Sequence, residues 1–316
     1  MPGGHVRDEL IHYRYQFWKS HCEYVLSRLL LPNVQKIVER RMLSSGDGQE
    51  PAFWVVLIEN RIDRMWLTAW LNSLLMMPPK TGLCFCSDDE GLGKIKAWFA
   101  REAWTFPSVK LLSLSPLLKG QPLAQRQALN QMMKHPGFWQ MMPGERLLMI
   151  QTDALLLEPM PPGFMDYGYV GAPFLPGNLS EIYQERSPEG VLKGFFESRV
   201  YVHIPPPPDT YPFLHGNGGL SIRSARLMEL IASDYGESSL PDENEDVFFS
   251  THVAKYCDPV PLQIARAFAM ETEFNPFAIS CHAPWKYLKA AEQAAALDRH
   301  YSQVLACLDF PELPLS

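Results

Sequence analysis

Phe53-Trp54-Val55-Val56-Leu57-Ile58 is an unbroken apolar run. With no polar alternation it reads as a strand buried on both faces, the kind found in a parallel sheet covered by helices. The chain beyond it repeats the theme. Asp63 to Met77 reads as a helix stopped by Pro78-Pro79, and Gly82-Leu83-Cys84-Phe85-Cys86 as a second strand ending in Ser87-Asp88-Asp89. A helix over Gly93 to Ala103, a strand over Val109 to Leu114, a helix over Gln121 to Trp139 and a fourth strand over Arg146 to Ile150 follow. Strands alternating with helices of crossover length imply an α/β fold on a mixed, mostly parallel sheet with right-handed connections. Ligands bind such sheets outside the carboxyl ends of the strands. Glu59-Asn60-Arg61, Ser87-Asp88-Asp89 and Gln151-Thr152-Asp153 are therefore expected to face one cleft.

On the amino-terminal side, Leu10, Tyr13, Phe17, Tyr24, Leu31 and Val34 recur near helical spacing, and Pro32 should kink or split the helix. Ser44-Ser45-Gly46-Asp47-Gly48 reads as a linker. The expected organisation is a helical extension over 1–48, a catalytic domain over 49–290, and a carboxyl-terminal helix and tail over 291–316. The extension is expected to pack on its own domain; its Trp, Tyr and Arg content also suits a partner or a peripheral membrane contact. After Asp153 the chain becomes rich in Pro, Gly and aromatics, and Ser187 to Tyr211 reads as a surface excursion. Long loops beside a cleft often select substrates. Further helices are expected over Ala225 to Ala232, from Pro241 onward, and over Ala290 to Leu308.

Composition bounds the function. The 316 residues are 47% hydrophobic, enough for one large domain or two modest ones with a substantial core. The net charge of −7, without a long basic run, argues against nucleic-acid binding. Cys22, Cys84, Cys86, Cys257, Cys281 and Cys307 contain no C-x-x-C pair, which argues against a zinc site. They read as free thiols of a reducing compartment. The first residues lack the continuous apolar core of a signal peptide, and no stretch of ~18 apolar residues reads as a membrane span. A cytoplasmic location is expected. No G-x-G-x-x-G follows the first strand and no G-x-x-x-x-G-K-[ST] occurs, so a dinucleotide dehydrogenase or a P-loop enzyme is disfavoured.

The remaining motifs suit sugar transfer from a nucleoside diphosphate. That reaction needs charge neutralisation on the departing diphosphate, a carboxylate to take the acceptor proton, and close backbone approach to the sugar. Asp153, directly after the fourth strand, is the metal candidate, since Mn²⁺ and Mg²⁺ favour carboxylate oxygen. The alternative is a turn-capping Asp, and the usual Asp-x-Asp pair stands here as Gln151-Thr152-Asp153. Gly216-Asn217-Gly218-Gly219 allows close approach to a ligand, the alternative being a tight hairpin turn. Glu245 and Asp246 are the candidate bases. Asp242-x-x-Glu245 also fits a capping box, which favours Asp246 as the base, and a helix start should lower the pKa of either acid. His282 is a candidate nitrogen ligand; His252, six positions after Asp246, falls on another helical face.

Five segments taken in order resemble a poorly characterised family of glycosyltransferase-like proteins, long catalogued only as a domain of unknown function. They are Gln151-Thr152-Asp153, Tyr169 to Pro173, Gly216 to Ser224, Glu245 to Phe249 and His282-x-Pro284-Trp285, within about residues 52 to 288. More distantly the layout is similar to GT-A (Rossmann-like) glycosyltransferases. The resemblance implies Asp153 and His282 at the metal and diphosphate, Asp246 as base, and Glu59 with Arg61 near the nucleotide. Donor contacts are further expected from Asp88, Thr152, Asn217, Gly218 and Gly219. The expected activity is metal-dependent, inverting transfer from a UDP-sugar to a glycan, lipid-linked or peptide acceptor. Two other classes compete: a non-catalytic sugar- or nucleotide-binding module with a degenerate site, and a nucleotidyltransferase. The latter wants a glycine-rich basic loop after the first strand, where Glu59-Asn60-Arg61-Ile62-Asp63 stands instead.

Overall fold

The apolar run at 53–58 forms an inner strand of a six-stranded sheet. The computed structural model describes residues 3–42, 49–102, 104, 106–173, 185–186, 192–193, 216–240, 243–258 and 260–309. Along the chain come α1 (Gly3–Val25), α2 (Val34–Arg41), β1 (Phe53–Ile58), α3 (Arg64–Met76), β2 (Thr81–Ser87), α4 (Asp89–Glu102) and β3 (Val109–Ser113). Next are α5 (Ser115–Leu118), α6 (Arg126–Met133), α7 (Pro136–Gln140), β4 (Arg146–Ile150), β5 (Ala154–Leu156) and β6 (Tyr169–Gly171). A short hairpin, β7 (Glu185–Arg186) and β8 (Leu192–Lys193), precedes β9 (Leu220–Ser224), β10 (Ala269–Met270) and β11 (Ser280–His282). Helices at Ala225–Tyr235, Glu245–His252, Leu262–Phe268, Pro284–Tyr287 and Ala290–Asp309 complete the described chain.

The large sheet has the order β3-β2-β1-β4-β9-β6. β1 runs parallel to β2 and β4, and β3 parallel to β2, while β9 lies antiparallel to both β4 and β6. This is the mixed, mostly parallel α/β sheet expected from the strand–helix alternation. Phe53, Val55 and Leu57 face one core with Trp66 and Trp70 of α3; Trp54 and Val56 face the other with Trp139, Phe248 and Phe249. Burying such a side chain contributes roughly 1.5–3 kcal/mol. Intrinsic strand preference spans only about 1 kcal/mol, so two-sided burial decides that this run is a strand.

Three local readings change. The helix expected over Gln121 to Trp139 is broken into α6 and α7. Pro136 disfavours helical geometry at His135, which instead takes φ −91° and ψ 128° and accepts the Gly137 N–H on its ring nitrogen at 3.0 Å. α4 starts four residues earlier than expected, at Asp89, because Asp88 accepts the Gly91 N–H at 2.8 Å and so caps it. Ahead of the sheet, the run of α1 passes through a π turn at Leu26–Leu30 and a 3₁₀ turn at Leu31–Asn33, where Pro32 lacks the N–H an α-helix needs, before α2 begins. The expected linker at Ser44–Gly48, the excursion at Ser187–Tyr211 apart from Leu192 and Lys193, and Pro241-Asp242 lie outside the described residues.

A smaller sheet has the order β10-β11-β5, and α1 and the closing helix at Ala290–Asp309 pack on it. Trp18 and Cys22 of α1 are buried with Leu155, Cys281 and Trp285, so the amino-terminal helix packs directly beside the carboxyl end of β4. All six cysteines are free, and Cys84 and Cys86 point the same way with sulfurs 3.6 Å apart. Among the described residues no helix is long and apolar enough to cross a membrane.

Candidate active site

The loops after β1 and β4 open onto two adjoining cavities. One, of about 450 Å³, is lined by Glu59, Asn60, Arg61, Gln151, Thr152 and Asp153; the other, of about 350 Å³, by Gly218, Gly219, Glu245, Asp246, His282 and Lys286. Ile58, Leu129 and Gln151 line both. Both volumes lie in the range of small-molecule sites. The third loop takes another role: Asp88 lines neither cavity, but caps α4 and accepts from the Asn60 amide at 3.2 Å. Glu59 also turns inward, accepting the Asn60 and Arg61 backbone N–H groups at 3.0 Å and the Arg61 guanidinium at 2.6 Å. It therefore holds its own loop and leaves Arg61, with 72% of its side chain exposed, at the cavity wall.

Asp153 and His282 come from different sheets' ends. β11 pairs antiparallel with β5 so that His282 lies opposite Ala154, next to Asp153. Ala283 then donates its N–H to the Asp153 carbonyl and takes a left-handed φ of +42°. A non-glycine residue held there stores about 1–3 kcal/mol of strain, a cost often found beside functional sites. His282 Nε2 lies 3.1 Å from Asp153 Oδ1 and 3.3 Å from Gln151 Oε1, while Nδ1 bonds Glu271 Oε1 at 2.9 Å. Burial pushes His282 down, but Asp153 and then Glu271 outweigh it and raise the imidazole to about 10. Burial likewise pushes Asp153 up, yet the His282 charge and hydrogen bond, helped by Lys286, hold it well below the usual carboxylate range. Lys286 Nζ is 3.7 Å from Asp153 Oδ2.

These side chains suit a divalent cation. Asp153 Oδ1, Gln151 Oε1 and His282 Nε2 gather carboxylate, amide and imidazole donors at one point, and Mn²⁺ or Mg²⁺ accepts such a set. Glu271 on Nδ1 is the partner that leaves Nε2 facing a metal. Among the described residues no group of three His, Cys, Asp or Glu side chains is placed to hold an ion. The protein would thus supply Asp153 and His282 with the Gln151 amide, and other oxygens would come from the ligand.

The glycines of β9's approach do not form a hairpin turn. Gly216, at φ +124°, passes against Gly171, where a Cβ would lie 2.4 Å from backbone carbon. A Cβ on Gly218 would meet Glu245 Oε1 at 1.7 Å, and one on Gly219 would meet His282 Nε2 at 2.2 Å. The backbone is thus pressed against both acidic clusters. Asn217, 2% exposed, accepts the Leu220 N–H at 3.2 Å and donates its amide to Glu271, so it orients the Glu271–His282 pair.

Glu245 and Asp246 divide their roles. Arg223, fully buried, grips Glu245 through both carboxylate oxygens at 2.7 and 3.2 Å and is ringed by Tyr169, Trp139 and Phe249. Both carboxylate oxygens of Glu245 are thus taken up by Arg223, while Asp242, the other half of the alternative capping box, lies outside the described residues. Asp246 is half-buried and, among the described residues, accepts backbone N–H groups alone, from Gly218 at 3.2 Å and Val247 at 2.8 Å. Burial first, and the Glu245 charge second, raise its carboxyl to about 7 against those two bonds. This reverses the lowering expected at a helix start. His252 lies in neither cavity; it stacks on Tyr235 at 4.1 Å, and burial lowers it to about 4.

Arg223, Glu271 and Lys286 were not singled out by sequence reasoning. Arg223 carried a usable signal: on β9, Leu220 and Ile222 face one core while Ser221 and Arg223 face the other way, and an Arg on a two-sided buried strand implies a buried acid. Glu271 and Lys286 carried none.

Fold and site together define an α/β protein with a polar, carboxylate-lined cleft at the carboxyl ends of its parallel strands. The chain belongs to the family described as "Protein of unknown function (DUF5672)", which it matches over residues 115–283, just over half its length. No curated protein matches it. Among solved structures, apo mouse xyloside xylosyltransferase 1 is similar at 12% identity, over 66% of this chain and 83% of that one, with a TM-score of 0.35. A mannosyltransferase from Pyrobaculum calidifontis, in complex with GDP-Man and Mn²⁺, is similar at 12% identity over 98% and 88%, with a TM-score of 0.34. Both scores are too low to establish a shared fold.

Proposed function

We propose that this protein is a glycosyltransferase that moves a sugar from a nucleoside-diphosphate donor, a uridine diphosphate sugar, onto an acceptor hydroxyl with inversion. The acceptor is a glycan, a lipid-linked molecule or a peptide. The observation that carries the reading is Asp246, a carboxylate with no cationic partner among the described residues and a pKa raised to about 7, on the wall of the cavity that also holds His282 and the glycine backbone. A general base works best when its pKa lies near the operating pH. The diphosphate falls to Asp153, Gln151 and His282, the nucleoside to the cavity beside Arg61, and the sugar to the backbone at Gly218 and Gly219. A Mn²⁺ or Mg²⁺ ion bound there would supply charge neutralisation for the leaving diphosphate. Lys286 adds positive charge from the protein itself, and His282 takes the ion as a neutral imidazole, the cation replacing the proton on Nε2.

The test is a thermal-shift screen of nucleotide sugars with Mn²⁺ and with chelator. A true donor raises the melting temperature by mass action. Asp153→Ala should melt somewhat below the wild type, because the His282 pair is lost, and should show the same ligand-induced shift in Mn²⁺ as in chelator. A variant whose ligand shift still depends on Mn²⁺ would count against Asp153 as a metal ligand. His282→Ala should weaken the Mn²⁺-assisted shift, whereas His252→Ala should leave it unchanged, because His252 is occupied by Tyr235 and lies outside both cavities. Equal effects of the two histidine changes would show that the wrong imidazole has been assigned.

A further inference from the structure

The nucleoside cavity has two walls that the family-matched segment does not contain. Residues 115–283 include neither Tyr15 of α1 nor Trp285, yet these two are the aromatic rings that line the 450 Å³ cavity. Tyr15 is half-buried and meets the Trp285 ring at 5.2 Å and 63°, edge to face. Trp285, 6% exposed, is backed in turn by Trp18 at 5.2 Å. α1 is pinned in place by the buried Trp18 and Cys22, and His21 bonds His300 of the closing helix at 2.8 Å. Tyr15 is thus held against the cavity by the packing of α1 over the next two turns of the helix.

We infer that Tyr15, braced by Trp285, is the stacking platform for the donor's nucleobase, which makes the amino-terminal helix part of the donor site. The inference rests on the donor reading above. With the diphosphate at Asp153 and the sugar against Gly218 and Gly219, the nucleoside occupies the cavity that Tyr15 lines. A base offers a π face to any aromatic ring, and the remaining walls near Arg61 and Asp63 are polar enough for its edges and the ribose. A purely structural Tyr15 would hold α1 on Trp285 and touch no ligand.

The two roles separate in a calorimetric titration of UDP and of inorganic pyrophosphate, both with Mn²⁺, into the full chain. Loss of one stacking ring weakens base binding by ~5- to 150-fold. Tyr15→Leu, which keeps an apolar side chain on Trp285, should lose that factor for UDP and nothing for pyrophosphate. Tyr15→Phe should bind UDP like the wild type, and so should Tyr13→Ala, whose ring is 69% exposed on the same helix and lines neither cavity. If Tyr15→Leu weakens UDP and pyrophosphate equally, or weakens neither while the wild type binds UDP, the platform is refuted and the donor reading stands. If the wild type binds neither UDP nor pyrophosphate, the donor reading fails and the platform with it. Should Tyr15→Leu not fold, a Tyr15→Phe protein that binds UDP ~5-fold or more weakly than the wild type would overturn it as well.

Discussion

Asp246→Asn should lower turnover by ~10²–10⁴-fold while leaving donor affinity nearly unchanged, because a base acts on the acceptor proton only as the new bond forms. The substitution is nearly isosteric and removes a charge whose burial is unfavourable. Below about pH 7 the wild-type carboxyl holds a proton, so its rate should rise with pH through that region and level off above it. The stability effect has the opposite sign. The folded carboxyl titrates near 7 against an ordinary 3.8, so the unfolded chain binds fewer protons between those values. The contribution of Asp246 to stability is therefore full below pH 4 and lost as pH rises through 7. Asp246→Asn, at pH 8, should melt no lower than the wild type. Near-normal turnover by the Asn variant would remove Asp246 from the base role, since Asn serves a helix start about as well as Asp.

Glu245→Ala should destabilise the fold by about 3–5 kcal/mol, the range for removing one partner of a buried ion pair. Arg223 has no exposed surface, and its bidentate bond to Glu245 supplies its countercharge in a cage of Trp139, Tyr169 and Phe249. Without Glu245 the guanidinium stays charged, because its pKa is far too high to give up the proton. Urea unfolding gives the number directly. Arg223→Met should cost less than Glu245→Ala, since Glu245 retains 9% side-chain exposure and can take up a proton. A loss under ~1 kcal/mol for Glu245→Ala, the size of an exposed pair, would mean that the pair is not buried as described. Together the two acids show why neighbours differ in role: one is neutralised by Arg223, and its residual charge helps to raise the other.

The fold was legible because its decisive signal is local. The 53–58 run, Pro78-Pro79 and the alternation of strands and helices all act within a few residues, so burial pattern alone orders the parallel half of the sheet. The break at His135-Pro136 was equally local and was passed over in favour of the longer periodic stretch. The site was legible in part. Asp153, His282 and the glycines, singled out from separate motifs, lie close together, and Asp246 shares a cavity with His282 and the glycines. What stayed hidden depends on distant pairs. Arg223 meets Glu245 across 22 residues, and Tyr15 reaches Trp285 from the opposite end of the chain. Helical periodicity shows which face of α1 is apolar; it does not show what that face covers. The pKa of Asp246 shows the same limit, because a helix start lowers an acid by local rules while burial and Glu245 act through the tertiary structure.

The central claim is that this cleft performs chemistry on a nucleoside-diphosphate sugar and does not merely hold one. Time-resolved ³¹P NMR tests it most directly, with the donor that stabilises the protein, Mn²⁺, pH 8 and a mixture of small glycan acceptors. The account predicts that wild-type protein releases the nucleoside diphosphate from the donor and that Asp246→Asn, at equal donor occupancy, releases it ~10²–10⁴-fold more slowly. A donor that is bound by the wild type and stays intact, or that both proteins consume at one rate, would contradict it.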